Sequence, residues 1–252
     1  IQLAKKGIEA KQQLIDELEK KNQELKKALL KRSRTTKDKR AEEALVAFKA
    51  GDYEKARELF ETLRKEEKEK EREHAETAYN LGNVYFVELD FSKALDAYLD
   101  AVRLAPDNST YLNEAGISFY TLAQYDKAIE YFEKALKSGI KTFGEDHPQV
   151  AIYRNNLGMA WYAKGEYGKA IEYYEKALKS GIKTFGEDHP QVAIYRNNLG
   201  GAWRAKGEYG KAIEYYEKAL SVLSVKLGNE HPDTKLIETN LSLAKKEKLE
   251  SK

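Results

Sequence analysis

The chain has no cysteine in its 252 residues, which excludes disulfides and thiolate metal sites. That fits a reducing compartment, and the cytoplasm is the expected location. Proline is also scarce, with four residues against 41% hydrophobic and 34% charged, a balance suited to long helices. No apolar run approaches the roughly 18 residues of a membrane span, and no secretory leader pattern opens the chain. Because it starts at Ile1 and its single methionine is Met159, it reads as a piece of a longer protein. Catalytic signatures are missing too. The glycines are solitary rather than grouped in a phosphate-binding loop, and neither HExxH nor an EF-hand loop occurs. His147, His189 and His231 are one residue repeated every 42 positions, each followed by proline, so a turn role outweighs metal binding. No catalytic residue, metal or cofactor is therefore expected.

What is present is repetition. Residues 133–158 recur letter for letter at 175–200, and between 127–178 and 169–220 only three positions differ: Phe132/Tyr174, Met159/Gly201 and Tyr162/Arg204. A fixed period of this size marks stacked supersecondary units that bury their apolar faces only against neighbours. Within a unit, Ala151, Leu157, Gly158, Trp161 and Tyr162 recur at helical spacing, Gly165 and Tyr167 interrupt, and Ala170, Tyr174 and Ala177 resume. This predicts a helix, a tight turn and a second helix. Gly158 and Ala170 are expected at the helix crossing, with Tyr167 and Tyr174 filling the space beside it. Between units, FGEDHPQ supplies Gly144 to end one helix, Asp146 to cap the next and Gln149 as its capping-box partner.

Four units follow one pattern. Leu81, Gly82, Tyr85, Phe91, Ala94, Tyr98 and Ala101 begin it, Gly116, Phe119, Tyr125, Ala128, Phe132 and Ala135 repeat it, and the two near-copies complete it. A degenerate unit with Ala44, Ala47, Gly51, Tyr53, Ala56 and Phe60 precedes them. These residues resemble the tetratricopeptide repeat family, and the longer units with the DHP turn and Asn-Asn-Leu look like the kinesin light chain variety. The resemblance implies an all-α fold, a right-handed α-solenoid. Expected boundaries are a degenerate unit at 41–74, units near 75–108, 109–150, 151–192 and 193–232, and a capping helix at 233–249. Lys245 stands there where other units carry an aromatic. Residues 61–75 lack both Gly and Pro, so either a charged turn or one long helix fits.

The same resemblance implies a concave groove lined by the first helix of each unit, the kind kinesin light chains use for cargo peptides. Carried over by position, the groove residues are Tyr79, Asn80, Asn83 and Phe86; Asn113, Ile117 and Tyr120; Asn155, Asn156, Met159 and Tyr162; and Asn197, Asn198 and Arg204. A row of amides can pair with the backbone of an extended peptide, while aromatics supply affinity. Alternatively, the asparagines pair with neighbouring helices. Arg204 is the one cation among these positions, which argues against a carboxylate clamp. The leading reading is a scaffold binding a protein or peptide of unknown identity; the alternative is a structural spacer whose groove is filled by its own arm or a neighbouring copy.

The net charge of +2 conceals an asymmetry, since residues 1–40 carry +7 and leave −5 for the rest. Ile1, Ile8, Ile15, Asn22 and Leu29, with Ala4, Leu18 and Leu25 between, form a heptad seam over 1–31, followed by a basic linker at 32–40. The seam predicts a homodimer through this N-terminal, coiled-coil-like helix, with Ile8, Ile15, Leu18, Asn22, Leu25 and Leu29 as contacts. Nucleic-acid binding by the basic arm is a further alternative, although charge runs are more often solvated linkers. Light-scattering masses test the seam: the whole chain is expected to be a dimer and a 41–252 truncation a monomer.

Overall fold

The structure is a computed structural model that describes residues 39–251, and among these residues it contains only helices and short connections. The helices are α1 (Lys39–Lys49), α2 (Tyr53–Val87), α3 (Phe91–Leu104), α4 (Ser109–Thr121), α5 (Tyr125–Phe143), α6 (Pro148–Ala163), α7 (Tyr167–Phe185), α8 (Pro190–Ala205), α9 (Tyr209–Lys226) and α10 (Pro232–Glu250). The heptad seam and nearly all of the basic linker lie outside the described residues. Lys39 and Arg40, read from sequence as the linker's end, instead open α1.

A boundary between two compact units falls after Glu71. In the first unit, Ala44, Ala47, Ala56 and Leu63 are buried, and Arg40 donates two hydrogen bonds of 2.8 Å to the Glu66 carboxylate. Residues 61–75 form no turn. They belong to the 35-residue helix α2, because a Lys/Glu-rich stretch without Gly or Pro has nothing to break the hydrogen-bond ladder and can add i,i+4 pairs along it.

In the second unit the pairs α4/α5, α6/α7 and α8/α9 stack in order, and α10 packs next in the series, against α9 and α8. Their first and second helices differ in how they are buried. First helix α6 buries Val150, Tyr153, Arg154, Asn155, Leu157 and Gly158 around most of its circumference, because it packs on its own partner and on both neighbouring pairs. Second helix α7 buries one stripe, Ala170, Ile171, Tyr174, Ala177 and Gly181, and leaves the rest to solvent. First helices α4, α6, α8 and α10 also touch one another in sequence, whereas the second helices form no comparable series. The stack is therefore tighter on the first-helix side, which makes that side the concave one.

Each pair is locked by a glycine facing an aromatic ring. A methyl added at Gly158 would stand 2.6 Å from the Tyr174 ring, and the same holds for Gly82 with Tyr98 and Gly116 with Phe132 at 2.6 Å. Tyr174 thus fills the space beside Gly158 as the sequence reading expected, and Ala170, the other expected crossing residue, is fully buried. Tyr167 instead leans on Tyr162, with centroids 5.4 Å apart.

The turns between pairs correct one expectation. Gly144 does end α5 with φ of +90°, but the N-cap of α6 is His147 rather than Asp146. Pro148 occupies the first helical position, so the extended residue before it is the one whose side chain reaches back. The Nδ1 of His147 accepts from the Gln149 N–H at 3.2 Å, and its ring stacks on Phe143 at 4.6 Å. His189 and His231 cap α8 and α10 in the same way. Asp146 is paired instead with Lys183 of the following unit. Buried Arg154 secures the turn, donating to the Glu145 carbonyl at 3.1 Å, to its carboxylate at 2.8 Å and to Ser180 at 2.5 Å.

Two alanine substitutions separate the lock from ordinary helix propensity. Gly158→Ala is expected to lose about 1–3 kcal/mol through overpacking against Tyr174. Gly168→Ala, with open space around it, should gain up to about 1 kcal/mol. Chemical denaturation of the two variants measures both.

Candidate functional site

The row of amides expected on the first helices is present, but its members are bonded mainly to one another. Asn156 donates to Asn113 at 2.9 Å, Asn198 to Asn155 at 2.9 Å and Asn240 to Asn197 at 3.0 Å. In each case the donor reaches the residue one before its own equivalent on the preceding first helix. Asn113 and Asn155 are 3% and 7% exposed, so they lie within the stack rather than on an open wall. The ladder thus follows the alternative in which asparagines pair with neighbouring helices, and it fixes the register between units.

At the other end of the groove the aromatics are similarly engaged. Tyr79 stacks on Tyr111 at 4.9 Å, Phe86 meets Phe91 edge-on at 5.2 Å, and the Asn83 side chain accepts from the Tyr98 hydroxyl at 2.8 Å. Ile117 packs on the core formed by Ala94, Tyr98, Phe119 and Phe132, and Asn80 is exposed. Glu114 stands where later units have the ladder asparagine. Burial lifts its carboxyl above the usual carboxylate range, opposed by a 3.1 Å hydrogen bond from Asn113.

The remaining expected residues converge. Tyr120, Met159, Tyr162, Asn197, Asn198 and Arg204 line one cavity of about 260 Å³ on the first-helix side, together with Tyr174, Gly201, Tyr216 and Asn240. Its origin is local. Met159 lies one turn beyond Asn155 on α6, its sulfur 3.5 Å from the Asn155 amide. The equivalent position of α8 is Gly201, which has no side chain to fill that space. Arg204 replaces Tyr162 one turn further on and faces Glu247 of α10, Nε to Oε2 3.7 Å. Leu236 and Leu243, one turn either side of Asn240 on α10, are exposed on the same helix face.

Sequence reasoning missed both Tyr174, which it treated only as packing, and Tyr216, which it did not single out. The signal was available, since Phe132/Tyr174 is the third of the three differences between copies. Burial pushes Tyr216 up to about 12, against the lowering influence of Arg204, and raises Tyr174 well above the ordinary phenol value. Both phenols therefore stay neutral at physiological pH. Among the described residues no group of His, Cys, Asp or Glu could hold a metal ion, and no helix is long and apolar enough to cross a membrane.

Helix pairs stacked through their first helices define an α-solenoid repeat protein. The chain belongs to the tetratricopeptide repeat family: one tetratricopeptide repeat model matches residues 108–181 and 162–224, and a second matches 42–109. Among solved structures it is similar to BtubC (BKLC) from P. vanneervenii, at 26% identity and a TM-score of 0.60 over 68% of this chain and 72% of that one. It is also similar to the nearly identical TPR-like repeats of a putative kinesin light chain from Podosopora anserina. There the identity is 20% and the TM-score 0.60, covering 69% of this chain and 87% of that one. No curated protein gives a significant sequence match.

Glu114 offers a pH test of this surface. Its folded-state value is raised, so its contribution to stability is complete below the ordinary carboxylate value and is lost as pH rises through the folded one. Glu114→Gln removes the buried charge and keeps the acceptor for Asn113. Its melting temperature should exceed that of the parent at pH 8, with the gain vanishing near pH 4.

Proposed function

We propose that the protein is a non-enzymatic scaffold that holds a peptide or helix of a partner protein on the concave face formed by its first helices. Tetratricopeptide repeats generally serve protein–protein interaction. The observation that carries the reading is where the near-copies disagree. All three differing positions contribute to the one cavity, through Met159, Tyr162, Tyr174, Gly201 and Arg204. Unselected drift would fall first on the solvent faces of α5 and α7, where exposed Glu133, Lys134 and Lys137 match Glu175, Lys176 and Lys179 without change. Change confined to a cavity that packing does not require points to a surface selected for what it contacts.

The groove is also chemically uneven in a way that suits a peptide. The ladder asparagines and Tyr79 already have partners, so affinity has to come from the region between α6 and α10, where space and free polar groups coincide. The lack of cysteine makes a reducing compartment such as the cytoplasm the expected setting. If the heptad seam joins two chains, two grooves act together and avidity follows.

The near-copy supplies its own control, because Met and Tyr at these positions are already accommodated one unit earlier. In a Gly201→Met/Arg204→Tyr variant, stability should stay within about 1 kcal/mol of the parent. Peptides selected on the whole chain from a random display library should bind this variant at least about tenfold more weakly, as loss of one central anchor predicts. Equal affinity of every selected peptide for both proteins would sink the groove assignment.

A further inference from the structure

The cavity is better provided with unused hydrogen-bonding groups than with apolar surface. Tyr174 and Tyr216 are 3% and 1% exposed, both line the cavity, and neither hydroxyl has a hydrogen-bond partner among the described residues. Their counterpart Tyr98 shows what is missing. Tyr98 donates to Asn83, whereas the position equivalent to Asn83 is Met159 beside Tyr174 and Gly201 beside Tyr216. The Tyr216 hydroxyl lies 3.6 Å from where a Gly201 methyl would be, so it points at the space that the glycine leaves. Both hydroxyls open into the cavity, so a ligand that displaces water from it has to supply their hydrogen-bond partner, and one that does so is favoured over one that does not.

The charged pair beside them is also incomplete. Arg204 and Glu247 stand 3.7 Å apart, beyond hydrogen-bonding distance, so the guanidinium keeps donors free and the carboxylate keeps acceptors free. Asn240 gives its amide to Asn197 and retains its carbonyl oxygen. The volume of about 260 Å³ falls under the range of roughly 300–1,000 Å³ typical of sites for whole small molecules, which favours a single side chain.

We infer that this cavity takes a primary carboxamide, the side chain of a glutamine or asparagine in the partner peptide. The inference rests on the groove reading above. The amide oxygen accepts from Arg204 and a tyrosine hydroxyl, while the amide nitrogen donates to Glu247 or to the Asn240 oxygen. Charge decides against the nearest competitors. Arg204 and Glu247 already cancel, so an added carboxylate would set two anions on one guanidinium, and an added ammonium would lie beside Arg204. An apolar guest would leave both hydroxyls unpaired, the situation in which polar sites discriminate most strongly.

The test uses the whole chain and the peptides selected on it from the random library, with the Gly201→Met/Arg204→Tyr variant as the subtracting competitor. Peptides specific to the parent should share a Gln or Asn at one position. Exchanging it for Glu or for Met should weaken binding about tenfold or more, measured by fluorescence anisotropy of the labelled peptide. Tyr174→Phe, which restores the residue found at Phe132, should shrink that preference severalfold while its circular dichroism melt stays close to that of the parent. A shared acidic or apolar residue at the discriminating position overturns the carboxamide assignment and leaves the groove reading standing. If no peptide distinguishes the parent from the double variant, the groove reading falls with it.

Discussion

Everything in the second unit depends on the contact between a glycine on each first helix and an aromatic ring on its partner. Gly82 with Tyr98, Gly116 with Phe132, Gly158 with Tyr174 and Gly200 with Tyr216 all bring a ring within 2.6–2.9 Å of the point where a methyl would sit. No other residue leaves that space, so the separation and crossing of the two helices are set by sterics before any hydrogen bond is considered. Because the contact is the same in every pair, each pair presents nearly the same surface to the next. Stacking then becomes a repeated operation, and the 42-residue copy is its sequence record.

The asparagine ladder is the second consequence. Once pairs present equal surfaces, a donor at one helical position and an acceptor at another meet every time, as the three amide bonds of 2.9–3.0 Å show. These bonds are partly buried, where a satisfied amide is favourable and an unsatisfied one is costly, so they resist sliding of one unit on another. Residues that resemble a peptide-reading surface thereby act as a register device. In the proposed reading, chemistry directed at a partner is left to positions that neither the glycine lock nor the ladder controls: those of Met159 and Tyr162 on the first helix, and the para position of the locking ring. Phe132 and Tyr174 fill the lock equally well and differ only there.

Most of the fold was legible in the sequence because helical periodicity and glycine spacing report which face is buried. The pairing at Gly158, the left-handed Gly144 and the terminal helix carrying Lys245, which pairs with Glu217 at 2.8 Å, all follow from such local signals. What was not legible depends on partners distant in sequence or on small differences of reach. An asparagine's spacing does not tell whether its amide faces solvent or an amide 43 residues earlier. The choice of His147 over Asp146 as cap turned on the proline that follows, and α2 ran through 61–75 because nothing there stops a helix. Residues 1–38, where the heptad seam was read, lie outside the described structure. The candidate site was half legible: the groove positions led to its floor and one wall, while Tyr174 had been assigned wholly to packing and Tyr216 had not been singled out.

The position of the cavity follows from what lies beside α8. The next first helix, α10, carries polar residues where the preceding units carry core ones, Lys245 in place of Trp203 among them. That same helix contributes Asn240 to the cavity and Glu247 to Arg204, so its groove side is shaped by α8 while its far side is shaped by water. Helix α6 keeps Met159 as filler, whereas α8 faces α10, whose Glu247 meets Arg204. The loss of bulk at Gly201 and the gain of charge at Arg204 are therefore tolerated where the next first helix is polar.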